Sequence, residues 1–133
     1  MPFSLDSYLG VHPDALKLQS KRTEVIADNL ANSDTPGYKA RDIDFRAAMA
    51  KAGGPEAPVK MTTDNPGHID IDPNTDANAN LKYRTPLAPS LDGNTVDSQQ
   101  EQAAFADNTV RYQATLTFLS ARFKGLMTAI TGQ

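Results

Sequence analysis

The sequence predicts a mainly α fold: long N- and C-terminal helices paired as a coiled-coil-like core, with an irregular or short β-containing middle segment. Three observations lead there. Apolar residues near the C-terminus recur at heptad spacing for about four heptads. A weaker seam of the same kind runs along the first 32 residues. Between them, residues 53–95 hold six of the chain's nine prolines, which neither helices nor central strands accept. The 133 residues suit one domain. It divides into an N-terminal helix over 4–32, a docking turn and short helix over 33–52, an extended middle over 53–95 and a C-terminal helix over 97–131.

The N-terminal helix places Leu5, Leu9, Leu16, Ile26 and Leu30 along one seam, diluted by His12, Gln19 and Thr23. Pro13 either starts the main helix in its first turn or kinks a longer one. The helix is expected to end near Asn32, where Asn, Ser and Asp compete for backbone hydrogen bonds. Thr35-Pro36-Gly37-Tyr38 then suits a type II turn, with Pro fixing φ at the second position and Gly supplying φ > 0 at the third.

The middle segment has short β-type runs at 59–62 and 68–71 and a weaker one at 81–84. They form a small hairpin or stay irregular, because the Asn, Asp and Pro of 72–80 offer little to bury.

The C-terminal helix carries Phe105, Tyr112, Leu119 and Leu126 on one heptad row and Thr109, Leu116, Phe123 and Ile130 on the adjacent row. Thr95 or Asp97 caps its start. A second stripe, Val110, Ala114, Phe118 and Ala121, faces away from that seam, and Val11, Leu18 and Val25 lie off the seam of the first helix. A two-helix pair buries one face of each member. A further apolar face requires either cover from the middle segment or other chains, and the polarity of the middle argues against full cover. These seven residues are therefore expected to form a subunit interface.

Composition excludes several functions. There is no cysteine, hence no disulfide, thiolate metal site or cysteine nucleophile. Net charge is −3, from 13 Lys+Arg against 16 Asp+Glu, with no basic stripe for nucleic acid. No apolar run approaches the roughly 20 residues of a membrane span. The opening MPFSLDSYLGVHPD lacks the basic and apolar regions of a cleaved secretory signal. Asp72-x-Asn74-x-Asp76 opens like a calcium loop but has Ala77 where Gly is required and Tyr83 where a bidentate Glu is required. His68, Asp70 and Asp72 share a strand face more typical of a polar edge than of a metal site. No catalytic, cofactor-binding or metal residues are assigned, and an enzyme is not expected.

The tract Ala27-Asp28-Asn29-Leu30-Ala31-Asn32-x-x-Thr35-Pro36-Gly37-Tyr38-Lys39 resembles the N-terminal signature of bacterial flagellar axial proteins, the rod and hook subunits. Ala40-Arg41-Asp42-Ile43-Asp44-Phe45 and Asp92-Gly93-Asn94-Thr95-Val96-Asp97, followed by Glu101, Phe105, Asn108 and Tyr112, narrow the likeness to the proximal rod members. Gly10 and Pro13 depart from the smooth helical start of that group. The resemblance implies a non-enzymatic rod subunit, exported through the type III apparatus without a cleaved signal. Its partners would be copies of itself, other rod proteins, the adapter FliE and the export gate. Within that reading, the Thr35–Tyr38 turn presents Tyr38 and Lys39 for docking, and Phe45 packs back on the helix pair. The competing readings are another proximal rod protein and a small secreted helical adaptor that does not polymerise.

Overall fold

The computed structural model describes residues 5–52, 81–86 and 88–132. In chain order the elements are α1 (Leu5–Leu9), α2 (His12–Ala31), β1 (Arg41–Ile43), α3 (Phe45–Ala52), β2 (Leu81–Tyr83) and α4 (Ser98–Thr131). The chain is mainly α, as the heptad spacing predicts, with a two-stranded antiparallel sheet set against the paired helices. The β-type runs expected at 59–62 and 68–71 lie outside the described residues.

The single N-terminal helix expected over 4–32 is two helices. Gly10 sits at φ +60° between them, a conformation that ends a right-handed helix. Pro13 falls in the first turn of α2, where its missing N–H leaves no intrahelical bond unmade. The proline thus starts the main helix and does not kink a longer one. α4 is continuous for 34 residues, about 50 Å at 1.5 Å per residue. Asp97 caps it, accepting from the N–H groups of Gln99 (3.0 Å) and Gln100 (3.2 Å). Gly132 closes it at φ +72°.

α2 and α4 run antiparallel, as the ladder of contacts between them fixes: Asn29 meets Glu101, Gln19 meets Asn108 and Thr115, and the His12 ring lies 6.1 Å from that of Phe118. Beyond α2, Tyr8 of α1 meets Arg122, whose guanidinium lies 5.8 Å from the Tyr8 ring centroid and donates to the Tyr8 carbonyl.

The face that α4 turns toward α2 differs from the expected seam. Its fully buried residues are Glu101 and Asn108, both polar, followed along the same heptad row by half-buried Thr115. Tyr112, Leu119 and Leu126 of the expected seam are half-buried beside this row. Phe105, Leu116, Phe123 and Ile130 are exposed, Ile130 to 79%. On α2, Ile26 is fully buried and Leu16 half-buried, while Leu30 faces outward. The physical reason is hydrogen bonding. The Asn108 amide donates to the Gln19 carbonyl (2.8 Å) and the Thr23 hydroxyl (2.9 Å), and the Gln19 amide donates to the Thr115 hydroxyl (3.1 Å). Polar groups that satisfy one another set the phase of the pair, and the apolar rows rotate outward. The far end of α4 also outruns α2, whose first residue lies opposite Phe118.

β1 pairs with β2 in the register Arg41↔Tyr83, Asp42↔Lys82, Ile43↔Leu81. The weak β run at 81–84 therefore finds its partner about forty residues upstream. The sheet covers α2: Val25, Ile43 and Ala48 form a buried cluster with Leu18 and Leu81 packed against it. Of the residues expected at a subunit interface, Val25 is consequently buried and Leu18 partly buried against it.

This packing predicts opposite outcomes for two similar truncations. Ile26→Ala should cost about 2–4 kcal/mol in urea unfolding. Ile130→Ala should stay within about 0.5 kcal/mol of the parent. Equal losses would place Ile130 in the core.

Candidate functional site

The corner after α2 is held by a second segment of the chain. The Thr35–Tyr38 turn closes with the Tyr38 N–H on the Thr35 carbonyl (3.3 Å), and Gly37 lies at φ +72° as the turn requires. Asn94 then reaches across. Its side-chain amide donates to the carbonyls of Asn32 (3.0 Å), Ser33 (2.7 Å) and Thr35 (3.0 Å), and its Oδ1 accepts from the Val96 N–H (2.8 Å). Carbonyls at a helix end have lost their intrahelical partners, and one asparagine supplies the donor for three that lie at and just beyond it.

The backbones on either side are also joined. Gly37 N–H donates to the Asp92 carbonyl (2.9 Å), Thr95 N–H to Tyr38 (3.0 Å), and Ala40 N–H to the Thr95 hydroxyl (2.8 Å). Lys39 Nζ caps the Gly93 carbonyl at 2.6 Å. Gly93 itself is at φ +74°, with Gly37 Cα 3.8 Å from the place a Cβ would occupy. The tracts 32–40 and 92–96, sixty residues apart in sequence, are two halves of one clasp.

Beneath the clasp lies a chain of charges. Arg22 donates through Nε and Nη2 to both oxygens of Asp42, each at 3.0 Å. Arg84 donates to the same carboxylate (2.8 Å) and, through its other nitrogen, to Glu101 Oε1 (2.6 Å). Asn29, fully buried, donates to Glu101 Oε2 (3.3 Å) and the Arg41 carbonyl (2.7 Å). Its own oxygen accepts from the Arg41 N–H (3.0 Å) and the Tyr38 hydroxyl (3.5 Å). Two guanidinium groups and two carboxylates make the network neutral. It joins α2, β1, β2 and α4, so each element's position depends on the others.

The two carboxylates respond oppositely to this setting. Burial pushes the Asp42 carboxyl up, but hydrogen bonds and charge from Arg22, the Ile43 N–H and Arg84 outweigh it and hold Asp42 below the usual range. Burial also pushes Glu101 up, and there Arg84 and Asn29 only partly offset it, so Glu101 stays above the usual range. Asp44 is lowered by the Lys82 ammonium, which pairs with it at 2.6 Å, and by the Ala47 N–H.

The structure disposes the expected docking residues in two ways. Asn29 is buried and Tyr38 half-buried, turned toward Asn29. Lys39 is spent on Gly93. Asn32 is half-buried under Asn94. Leu30, Ala31, Thr35, Pro36 and Gly37 remain exposed. Phe45 is half-buried and lines a groove between α2 and α4 with Ala114. Of the expected interface residues, Val11, Val110, Ala114, Phe118 and Ala121 are outward, Val110 to 66%. Sequence reasoning missed Arg22, Asp42, Arg84 and Glu101 as a connected set, and Asn94 as the residue that clasps the turn. Among the described residues no group of His, Asp and Glu is placed to hold a metal ion. No described helix is long and apolar enough to cross a membrane.

A family model described as "Flagella basal body rod protein" matches residues 9–39, from the end of α1 through α2 to the clasped turn. The chain is 45% identical over 130 residues to the flagellar basal body rod protein FlgB of Escherichia coli (strain K12), a match covering 95% of this chain and 94% of that protein. The chain belongs to the FlgB family of flagellar basal body rod proteins. It is also 47% identical over 125 residues to the FlgB of Cereibacter sphaeroides, covering 94% of each chain. To the FlgB of Aeromonas hydrophila it is 41% identical over 134 residues, covering 100% of this chain and 99% of that one. The FlgB family is one of structural rod proteins, not of enzymes.

Three tests follow from the charge network and the turn. Arg84→Leu leaves Glu101 buried without its counterion and should cost about 3–5 kcal/mol; adding Glu101→Gln should restore most of it. Asp42, whose folded pKa is depressed, contributes stability above the ordinary carboxylate range and loses it as pH falls through its folded value. Glu101, whose folded pKa is raised, contributes most when protonated and loses that contribution as pH rises through its folded value. Urea titrations across pH should therefore show Asp42→Asn flattening the acid limb and Glu101→Gln flattening the limb above it. Separately, Gly37→Val should lower stability by about 1–2 kcal/mol, because a β-branched residue resists φ > 0. Unchanged melting would remove the turn from the account.

Proposed function

We infer that this chain is a non-enzymatic structural subunit of the flagellar proximal rod, placed in the basal body and polymerising through its terminal helices. The observation that carries the reading is the inverted character of α4. Its buried positions are polar, and its large apolar side chains lie outward on two sides: Leu116, Phe123 and Ile130 on one, Val110 and Phe118 on the other. A lone globule gains nothing from that arrangement. A subunit surrounded by neighbours buries both sides, and contacts that do not close into a ring build a filament. Membership of a basal body rod family agrees with it.

On this reading the neighbours are copies of the chain and other rod proteins, with the adapter FliE and the type III export gate at the base. The subunit reaches the periplasmic rod by type III export. The connection it makes is mechanical, joining the membrane-embedded base to the drive shaft. A secreted adaptor that never polymerises would leave both sides of α4 in water.

Val110→Asp and Ile130→Asp test this directly. Each should leave the thermal midpoint of the purified chain close to the parent, since neither residue is in the core. Each should sharply reduce incorporation into isolated basal bodies and spreading in motility agar. Normal incorporation of both variants would overturn the reading.

A further inference from the structure

Leu91 stands at the tip of the clasp with its side chain in solvent, 110% exposed. A single exposed leucine is ordinary on a protein surface. This one is held in place. The Gly93 N–H donates to the Ser90 carbonyl (3.2 Å), closing a turn around Leu91 and Asp92. The Asp92 carboxylate accepts from the Ser90 hydroxyl and from the Asn94 N–H (3.0 Å), and the Asp92 carbonyl accepts from Gly37 (2.9 Å). The turn is thereby fastened to the 32–40 corner. Pro36 is exposed there, between two residues that bond the 92–94 tract. Leu30 and Ala31, on the last turn of α2, lie outward at the same end. An apolar side chain already fixed in position loses little freedom on binding.

The charges around this knob are of one sign. Residues 27–38 and 91–100 contain four aspartates, Asp28, Asp34, Asp92 and Asp97, and no lysine or arginine. All four are exposed. The next cation along the chain, Lys39, is committed to the Gly93 carbonyl. Asp28 and Asp34 have no ion pair among the described residues. Like charges across a contact repel, so this rim turns away nucleic acid, anionic lipid headgroups and acidic protein surfaces. The far end of α4 on a second copy is a poor match. It offers outward Phe123, Met127 and Ile130, but Arg122 is engaged by Tyr8 and Arg111 by Asp107. Lys124 is then the one uncommitted cation of α4 among the described residues, against four carboxylates.

We propose that the clasp end docks on a rod subunit of a different kind, Leu91 and Pro36 entering an apolar hollow whose edge carries lysine or arginine side chains facing Asp34 and Asp28. Burial of the knob supplies the affinity, and the charged rim selects the partner and its orientation. The inference rests on the rod-subunit reading. It adds a contact at the end of the helix pair, separate from the apolar flanks of α4.

The test replaces Leu91, and in a second variant Pro36, with p-benzoylphenylalanine in the full chain and photocross-links isolated basal bodies. A cross-link from either position to one other rod protein, at apolar residues flanked by lysine or arginine, is expected. Cross-links to a second copy or to a surface without those cations, or none from either position, would overturn the proposal. Leu91→Asp should leave the thermal midpoint of the purified chain at the parent value and lower its incorporation into basal bodies about tenfold or more, the worth of burying a leucine. Asp34→Lys should also lower incorporation, and reversing the charge of the cross-linked partner's lysine or arginine should restore it. A reversal that restores nothing would reject the charged rim. Normal incorporation of Leu91→Asp, alongside exclusion of Val110→Asp, would overturn the docking surface and leave the rod reading intact. Absence of the parent chain from basal bodies would remove both.

Discussion

Glu101 is a carboxylate with no exposed surface, on a helix that must lie against another. A charge so enclosed is tolerated only with a counterion and hydrogen bonds around it. Arg84 supplies the first and Asn29 the second. Arg84 can do so only because β2 is docked on β1, and β1 only because Asp42 is tied to Arg22 of α2. One buried ion therefore requires four elements to take up fixed relative positions. A pair of apolar helices can slip by a turn or roll by tens of degrees at small cost. A pair carrying this network cannot, since every such motion strands a charge.

The same constraint explains why so much apolar surface faces out. The row Glu101, Asn108, Thr115 claims the inward side of α4, and each of its polar groups finds a partner on α2. Leu116, Phe123 and Ile130 are then turned away, and so, on the other flank, are Val110 and Phe118. The fully buried apolar core is small, confined to residues such as Ile26, Val25, Ile43 and Ala48. In a subunit of an assembly this division is coherent: directional hydrogen bonds specify the internal register, and non-directional burial is held for contact with neighbours. The clasp made by Asn94 extends the principle, fixing the exit of α2 by hydrogen bonds where hardly any apolar contact is available.

The elements were largely legible in the sequence because long helices repeat their signal. The heptad rows of α4 gave its length, Thr95 or Asp97 its start (Asp97 is the cap), and Thr35-Pro36-Gly37 the turn. The phase of the helix pair was not legible. Two apolar rows on α4 stand side by side, and hydrophobic count favours both over the polar row at 101, 108 and 115, although that row has the same period. Gln19 and Thr23, which dilute the seam of α2 by that count, are the residues α4 meets. β1 was missed because Arg-Asp-Ile is too short for periodicity and its partner lies about forty residues away. Leu18 and Val25 were assigned outward because nothing local announces that a strand will cover them. The charge network was missed because its members are scattered between positions 22 and 101, and spacing carries no information about contacts made only by folding.

A residue-level map of this chain within an isolated basal body tests the central claim most directly. The account predicts that Glu101 still meets Arg84 and Asn29, that Asn108 still meets Gln19, and that Leu116, Phe123 and Ile130 are covered by other chains. An α4 rolled so that Leu116 and Phe123 pack on Ile26 while Glu101 faces a neighbour or solvent would contradict it.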